Sequence, residues 1–180
     1  TILPLSYSYG LSVINSHLYA GSTIYLYKGS IIQKEFWNKV VENKITNFNL
    51  VPFTAEMLIR LNFEKLRSQN MRFITLAGGP LEYEKKKKLL EICEKKKISF
   101  FSMYGQTEAS PRMACFNVNT NKSKIKSVGK VVEGGKFNIL NAKNSQSKIG
   151  EVIFEGKNVF CGYFSGWKDL CSKYIYKKKL

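Results

Sequence analysis

The strongest constraint on the fold is an alternation of two kinds of apolar pattern over the first 103 residues. Short stretches rich in β-branched and aromatic residues predict strands, at 23–27, 45–51, 73–77 and 98–103. Apolar residues at helical spacing predict helices, at 11–20, 33–44, 52–61 and 81–97. Because strands joined by helices pair in parallel, this part is predicted to be α/β, a parallel sheet with flanking helices.

The pattern changes after Arg112. Short strand-like stretches follow, at 113–116, 126–132, 136–140 and 151–155, separated by turns of Gly, Asn, Ser and Lys. We interpret them as a small antiparallel β subdomain. The sequence therefore predicts an α/β subdomain at 1–112, a β-rich subdomain at 113–165 and an irregular or truncated tail at 166–180.

The net charge of +16 raises the question of an anionic partner. The excess is mostly Lys in runs at 85–88, 95–97 and 177–179, and such runs are typical of solvated helix faces. We therefore expect no nucleic acid partner, although a basic binder of nucleic acid or membrane surfaces remains an alternative with strongly salt-dependent binding.

No apolar run approaches the roughly 20 residues of a membrane span, and no signal-peptide pattern opens the chain. The predicted location is cytoplasmic.

The segment after the fourth predicted strand combines four useful groups. Tyr104 offers a flat face to a heteroaromatic ring, and Gly105 allows a tight turn beside it. Thr107 can donate to a phosphate oxygen, and Glu108 can bind Mg²⁺. These groups suit a magnesium nucleotide. A strand-ending turn with a solvated glutamate is the alternative.

Three loops are expected to converge on one rim of the sheet. Ligands of open parallel sheets bind beyond the carboxyl ends of the strands, which would bring together 52–54, 78–80 and 104–108. The bare backbone of Gly78 and Gly79 could lie against a planar base opposite Tyr104. A glycine pair needed only for a turn with positive φ explains the same residues equally well.

Four motifs occur in a recognisable order, at 4–11 (PLSYSYGL), 77–81 (AGGPL), 103–108 (MYGQTE) and 150–163 (GEVIFEG, then GY). Their order and spacing resemble the adenylate-forming (AMP-binding) superfamily of acyl-CoA synthetases, nonribosomal-peptide adenylation domains and luciferases. The resemblance covers nearly the whole chain. It implies attack of a substrate carboxylate on the α-phosphorus of ATP, giving an acyl-AMP for transfer to a thiol. The chain would be part of an AMP-forming acid–thiol ligase.

The resemblance also implies roles for individual residues. Thr107 and Glu108 would be catalytic, with Glu108 holding Mg²⁺. The nucleotide would contact seven residues: Gly78, Gly79, Pro80, Tyr104, Gly105, Gln106 and Thr107. The acyl or aminoacyl pocket would be lined by Tyr7, Phe53, Thr54 and Ala109. ATP and Mg²⁺ would be required, with a small carboxylate as substrate and CoA or a carrier protein's phosphopantetheine as acceptor.

Several parts of the family pattern have no match in this sequence. These are the Ser/Thr/Gly-rich phosphate loop with its Lys, the Thr-Gly-Asp after the Gly-Tyr pair, and the C-terminal domain with its Lys. We therefore expect an internal fragment of the large N-terminal domain, incomplete for catalysis alone and needing companion segments of a split enzyme. A non-catalytic remnant or interaction module that keeps the fold is the alternative.

Overall fold

The computed structural model describes residues 1–140, 149–164 and 166. Of the tail predicted at 166–180, only residue 166 lies within the described residues. The four helices are α1 (Ser8–Tyr19), α2 (Lys34–Glu42), α3 (Pro52–Arg60) and α4 (Tyr83–Lys95). Short 3₁₀ turns occur at Phe63–Lys65, Thr107–Ala109 and Lys122–Lys124.

The strands form two sheets. The larger contains β1 (Asn47–Leu50), β2 (Phe73–Leu76), β3 (Ser99–Tyr104), β4 (Ala114–Asn117) and β5 (Lys130–Val131), in that order. The smaller pairs β6 (Gly135–Leu140) with β7 (Glu151–Gly156) in antiparallel fashion.

Strand directions confirm the predicted fold class. β1, β2 and β3 are parallel neighbours, whereas β4 and β5 add to the same sheet in antiparallel orientation. Of the antiparallel strands expected after Arg112, two therefore extend the first sheet and two form the separate one. The division into subdomains at 112 stays a prediction, and the β3–β4 pairing crosses it.

One predicted strand, at 23–27, is wrong. The segment has no regular strand structure. Its backbone bonds to the start of the chain instead of to the sheet, since the Tyr27 amide donates to the Thr1 carbonyl over 3.2 Å. The Tyr27 ring packs edge-on against Phe36, with 5.1 Å between centroids. β propensity reflects how well a side chain packs on a half-buried surface, not a fixed backbone preference. In this segment the Tyr27 side chain packs on α2 instead of on a neighbouring strand.

The sheet is covered on both faces because its side chains alternate. Along β1 and β2, the apolar residues on one face join a core with α2, α3 and α4, namely Phe48, Leu50, Ile74 and Leu76. The opposite face presents Thr75, whose hydroxyl lies 2.7 Å from that of Tyr9 in α1 and accepts a bond from Asn49 over 2.8 Å. This buried polar contact fixes α1 on the sheet, and burial raises the pKa of Tyr9 to about 12.

Candidate functional site

A cleft of about 690 Å³ opens beyond the carboxyl ends of β2 and β3. Its volume is in the range usual for small-molecule sites. The lining includes most of the residues singled out from sequence: Tyr7, Gly78, Gly79, Pro80, Tyr104, Gly105, Gln106, Thr107 and Glu108. Two of the three loops expected at this rim, 78–80 and 104–108, line the cleft, and residues 7–9 join them there, whereas none of residues 52–54 is part of the lining.

The loop after β2 needs its glycines. Gly78 has φ +85° and Gly79 has φ +155°, values that other residues rarely adopt. A Cβ at Gly78 would lie 2.4 Å from the Tyr7 hydroxyl, and one at Gly79 would lie 3.3 Å from the Pro52 ring. The turn therefore requires glycine for its positive φ and for the close approach of Tyr7 and Pro52. Contact of this backbone with a planar base stays a prediction.

The loop after β3 turns tightly at Gly105. A Cβ there would lie 1.7 Å from the Pro111 carbonyl oxygen, so only glycine fits this backbone approach. The turn leaves the Tyr104 ring 38% exposed at the cleft, with the Phe137 ring centroid 6.4 Å away. Tyr104 is therefore supported on one side and open to a ligand on the other.

A hydroxyl pair joins the loop after β3 to α1. The Ser8 and Thr107 hydroxyl oxygens lie 3.0 Å apart. Ser8 is the first residue of α1, so this bond holds the start of that helix at the cleft. Two hydroxyls are thereby presented together at one edge of the site.

Glu108 is held by the segment that follows β7. Its carboxylate accepts a hydrogen bond from the Tyr163 hydroxyl, and its carbonyl accepts one from the Phe160 amide over 2.8 Å. The Tyr163 bond, aided by the residue's own backbone N–H, lowers the pKa of Glu108 below its usual value. The side chain is otherwise open to solvent. The site therefore presents an ionised, accessible carboxylate.

Asn158 also links the segment that follows β7 to the loop after β3. Its side-chain amide donates to the carbonyls of Ala109 and Arg112, over 2.6 and 2.9 Å. Gly162-Tyr163 belongs to the last of the four motifs, but the sequence predicted no role for Asn158 or Tyr163. Nothing in the local pattern at 157–163 indicates a partner some 50 residues earlier.

Cations in the cleft were also missed. Lys86, Arg112 and Lys126 line it, and Glu108 is the one carboxylate that the described residues contribute to the lining. The Lys86 amine donates to Ser102 over 2.9 Å, and the Lys126 amine lies 4.9 Å from the centroid of the Tyr83 ring. Lys86 lies in the run at 85–88, which indicated only a solvated helix face, and Arg112 and Lys126 were given no role. The lining as a whole suits an anionic ligand.

Comparison with known protein families gives a match over most of the chain. A family model described as AMP-binding enzyme matches residues 1–164. The chain belongs to the AMP-binding enzyme family. The resemblance drawn from the four motifs is confirmed.

Curated relatives from this family are longer proteins. The 2-succinylbenzoate–CoA ligase of Oceanobacillus iheyensis is 29% identical over 162 residues, covering 90% of this chain and 33% of that protein. The enzyme of the same name from Enterococcus faecalis is 26% identical over 166 residues, covering 91% of this chain and 33% of that protein. The chain thus spans about a third of the length of these relatives.

Solved structures of AMP-binding enzymes share the fold. The o-succinylbenzoate coenzyme A synthetase of Bacillus subtilis, solved with ATP and magnesium ion, gives a TM-score of 0.76 at 24% identity. That match covers 93% of this chain and 34% of the other. A long-chain-fatty-acid-CoA ligase of Archaeoglobus fulgidus gives 0.74 at 18% identity, over 93% of this chain and 36% of the other.

Three residues expected to line the acyl pocket of an AMP-binding enzyme are not among the residues that line the cleft. Phe53 is 69% exposed on α3. The Thr54 hydroxyl accepts from the Val51 amide and donates to the Val51 carbonyl, both over 2.9 Å, and so caps α3. Ala109 is fully buried in a small cluster with Phe154. Their substrate-pocket roles stay predictions.

The donor set fits a magnesium ion bound with a nucleotide. Within residues 1–140, 149–164 and 166, no group of three or more His, Cys, Asp or Glu side chains could hold a metal ion. Mg²⁺ commonly takes only one or two protein carboxylates and completes its shell with phosphate oxygens and water. The accessible carboxylate of Glu108 meets that need.

Over the same residues, no helix is both long and apolar enough to cross a bilayer.

Proposed function

We propose that this chain is the nucleotide-binding segment of an AMP-forming acid–thiol ligase. The observation that carries the proposal is the convergence of Gly78-Gly79, Tyr104 and the Thr107-Glu108 pair on one cleft. Membership in the AMP-binding enzyme family supports the same reading. The reaction proposed is attack of a carboxylate oxygen on the α-phosphorus of ATP, with pyrophosphate leaving and an acyl-AMP forming.

Binding of the base would rest on Tyr104 and the glycine loop. The half-open Tyr104 ring offers a stacking face, and the Gly78-Gly79 backbone carries no side chain that could obstruct the opposite face. Pro80, Gly105 and Gln106 complete the walls of that part of the cleft. The fixed turn at Gly105 would hold the Tyr104 ring in place before the nucleotide arrives.

Binding of the phosphates would fall to the hydroxyl pair and Glu108. The Thr107 hydroxyl, positioned by Ser8, can donate to an α-phosphate oxygen. Glu108 would hold Mg²⁺, which neutralises phosphate charge so that a carboxylate anion can approach. The Tyr163 hydroxyl keeps the Glu108 carboxylate ionised and oriented before the ion binds. Arg112 adds positive charge to the same cleft.

On the acyl side we retain Tyr7, whose hydroxyl lies beside Gly78 in the cleft. Its hydroxyl could donate to the attacking carboxylate and orient it.

Since the chain spans about a third of its relatives' length, companion segments would supply the remaining groups. CoA is the acceptor thiol favoured by those relatives' names, with a carrier protein's phosphopantetheine as the second choice. We also propose a cytoplasmic location.

The charge of the chain does not require a nucleic acid partner. Part of the lysine excess on α4 is paired with carboxylates, since Lys85 contacts Glu56 at 3.1 Å and Lys95 contacts Glu64 at 3.0 Å. If the basic surface were the functional feature instead, the chain would bind DNA or anionic vesicles tightly at low salt.

Calorimetric titration of the chain with Mg²⁺·ATP tests the proposal. We expect Tyr104→Ala to weaken binding about 5- to 150-fold, the range of one base–aromatic stack, and Tyr104→Phe to retain it. Tyr19→Ala is the matched control, since Tyr19 is 96% exposed on α1 and remote from the cleft lining. No binding by the wild-type chain, or equal losses in Tyr104→Ala and Tyr19→Ala, would contradict the proposal. Binding without ATP–pyrophosphate exchange after companion segments are added would favour the non-catalytic interaction module.

A further inference from the structure

Asn158 holds the backbone that follows Glu108, and the proposed function assigns it no task. Its side-chain amide donates to the carbonyls of Ala109 and Arg112, over 2.6 and 2.9 Å. The Ser110 hydroxyl returns a bond to the Asn158 carbonyl over 3.0 Å. Hydrogen bonds in both directions therefore join Asn158 to the turn between Ala109 and Arg112.

This turn needs support, because Ser110 adopts a left-handed backbone conformation. Its φ of +58° is unusual for a residue other than glycine. The Arg112 amide closes the turn on the Ala109 carbonyl over 3.1 Å. A strained backbone of this kind persists where neighbouring groups hold it, and it is concentrated at functional sites. The bonds to Asn158 supply that support from outside the turn.

Asn158 is itself fixed at the end of the small sheet. It lies in the turn after β7, which the Val159 amide closes on the Gly156 carbonyl over 3.2 Å. A Cβ at Gly156 would lie 2.6 Å from the Asn158 side-chain oxygen, so the glycine leaves the room that this side chain occupies. Val159 is 6% exposed and shares a small core with Phe154 and Ala109. The amide donors of Asn158 are therefore held in place by packing.

The supported turn separates two charged residues of the cleft. Glu108 precedes the turn and Arg112 ends it, and both residues line the cleft, whereas Asn158 does not. The Glu108 carbonyl also accepts a bond from the Phe160 amide over 2.8 Å. Because the backbone on both sides of Ser110 is anchored to the segment after β7, the direction of the Glu108 carboxylate depends on contacts outside the cleft.

We propose that Asn158 is a positioning residue for the magnesium nucleotide and acts through the Glu108 carboxylate. This inference rests on the proposed function. Asn158 holds the turn after Glu108 in one conformation, so that the carboxylate meets the ion already oriented. Replacing a residue that orients a metal ligand through hydrogen bonds commonly lowers metal affinity about 10- to 100-fold. A role limited to the stability of the fold would instead weaken binding with and without the ion alike.

Calorimetric titration of the full chain with ATP, once with saturating Mg²⁺ and once with EDTA, tests the inference. The ratio of the two affinities measures what the ion adds, and we expect it to favour Mg²⁺ in the wild type. Asn158→Ala removes both donors, so this ratio should fall by about 10-fold or more. The affinity for metal-free ATP should stay close to the wild-type value, because it depends on Tyr104 and the glycine loop.

Two other variants complete the comparison. Asn121→Ala is the matched control, because the Asn121 amide also donates to a backbone carbonyl, that of Asn117 over 3.1 Å, but has no contact with the turn after Glu108. It should keep the wild-type ratio. Ser110→Ala removes the returned bond and leaves both Asn158 donors, so it should lower the ratio less than Asn158→Ala does.

Binding of metal-free ATP shows that Asn158→Ala is folded. If this variant does not fold, Ser110→Ala decides, and an unchanged ratio there would overturn the inference. Equal losses with and without Mg²⁺ in Asn158→Ala would overturn it as well, as would an unchanged ratio. These results leave the proposed function intact. A wild-type chain that binds ATP equally with and without Mg²⁺ would remove the proposed role of Glu108 together with the inference, and one that binds no nucleotide would overturn the proposed function itself.

Discussion

Ser8 and Thr107, 99 residues apart in the sequence, meet with their hydroxyl oxygens 3.0 Å apart at the edge of the cleft. The bond joins the start of α1 to the loop after β3, and so connects two motifs recognised separately in the sequence. It also gives the proposed phosphate-binding hydroxyl a fixed neighbour. The contribution of this bond to the free energy of unfolding can be measured separately from the contribution of Thr107 to nucleotide binding.

Ser8→Ala and Thr107→Ala are each expected to lower the free energy of unfolding by about 0.5–1 kcal/mol, since the bond is exposed to solvent. The double variant should cost less than the sum, because both substitutions remove the same bond. Urea unfolding measures these values. Titration with Mg²⁺·ATP should separate the two residues, with Thr107→Ala losing more affinity than Ser8→Ala. Additive unfolding energies would mean that the two hydroxyls are not coupled.

Gly78→Ala is expected to destabilise the chain by about 2–3 kcal/mol. The substitution combines φ +85° with a Cβ 2.4 Å from the Tyr7 hydroxyl. Gly134→Ala is the control, since φ is +76° there and nothing lies within 4 Å of the added atom, so that backbone strain of about 1 kcal/mol acts alone. Tyr7→Phe in the Gly78→Ala background should recover part of the difference. Thermal unfolding of the wild type and these three variants measures this, and equal losses at both glycines would exclude a steric role for Tyr7.

Glu108 should titrate below the ordinary range of a glutamate because Tyr163 donates to its carboxylate. A depressed folded-state pKa adds stability above the unfolded-state pKa, and that stability is lost as the pH falls through the folded-state value. The difference in melting temperature between wild type and Tyr163→Phe should therefore be present at pH 7 and shrink in acid. Carboxyl NMR should show the pKa of Glu108 rising in Tyr163→Phe. An unchanged pKa would mean that the hydroxyl does not interact with the carboxylate in solution.

The thiols should differ in reactivity because only the thiolate attacks a disulfide reagent. Cys93 is buried, which raises its pKa to about 12, whereas Cys161 is exposed. In a Cys171→Ser background, a chromogenic disulfide reagent at pH 8 should modify Cys161 first. Cys115, whose pKa burial also raises, should follow slowly, and Cys93 should react only on unfolding. Mass spectrometry identifies each modified site, and rapid native labelling of Cys93 would contradict its packing.

Local sequence patterns were sufficient to predict the helices and most of the strands. The amphipathic spacing around Phe36, Trp37 and Val40 predicted α2 and the face that it buries. The segment 23–27 has the composition of a strand as well, yet Tyr27 packs against Phe36 and its amide bonds to the Thr1 carbonyl, contacts that local composition does not predict. The rim of the cleft was predictable from parallel topology, because the carboxyl ends of β2 and β3 must lie side by side.

The sequence by itself determined the helix and strand periods, the order of the motifs and the loops that would meet at the sheet's edge. Those features depend on neighbours in the chain, where side-chain spacing dictates which face is apolar. Only the tertiary structure decided that β4 and β5 extend the first sheet, that Tyr163 binds Glu108, and that Lys86 turns inward to Ser102. Each of these contacts joins residues from different elements, and a lysine among lysines carries no local sign of the direction in which it points.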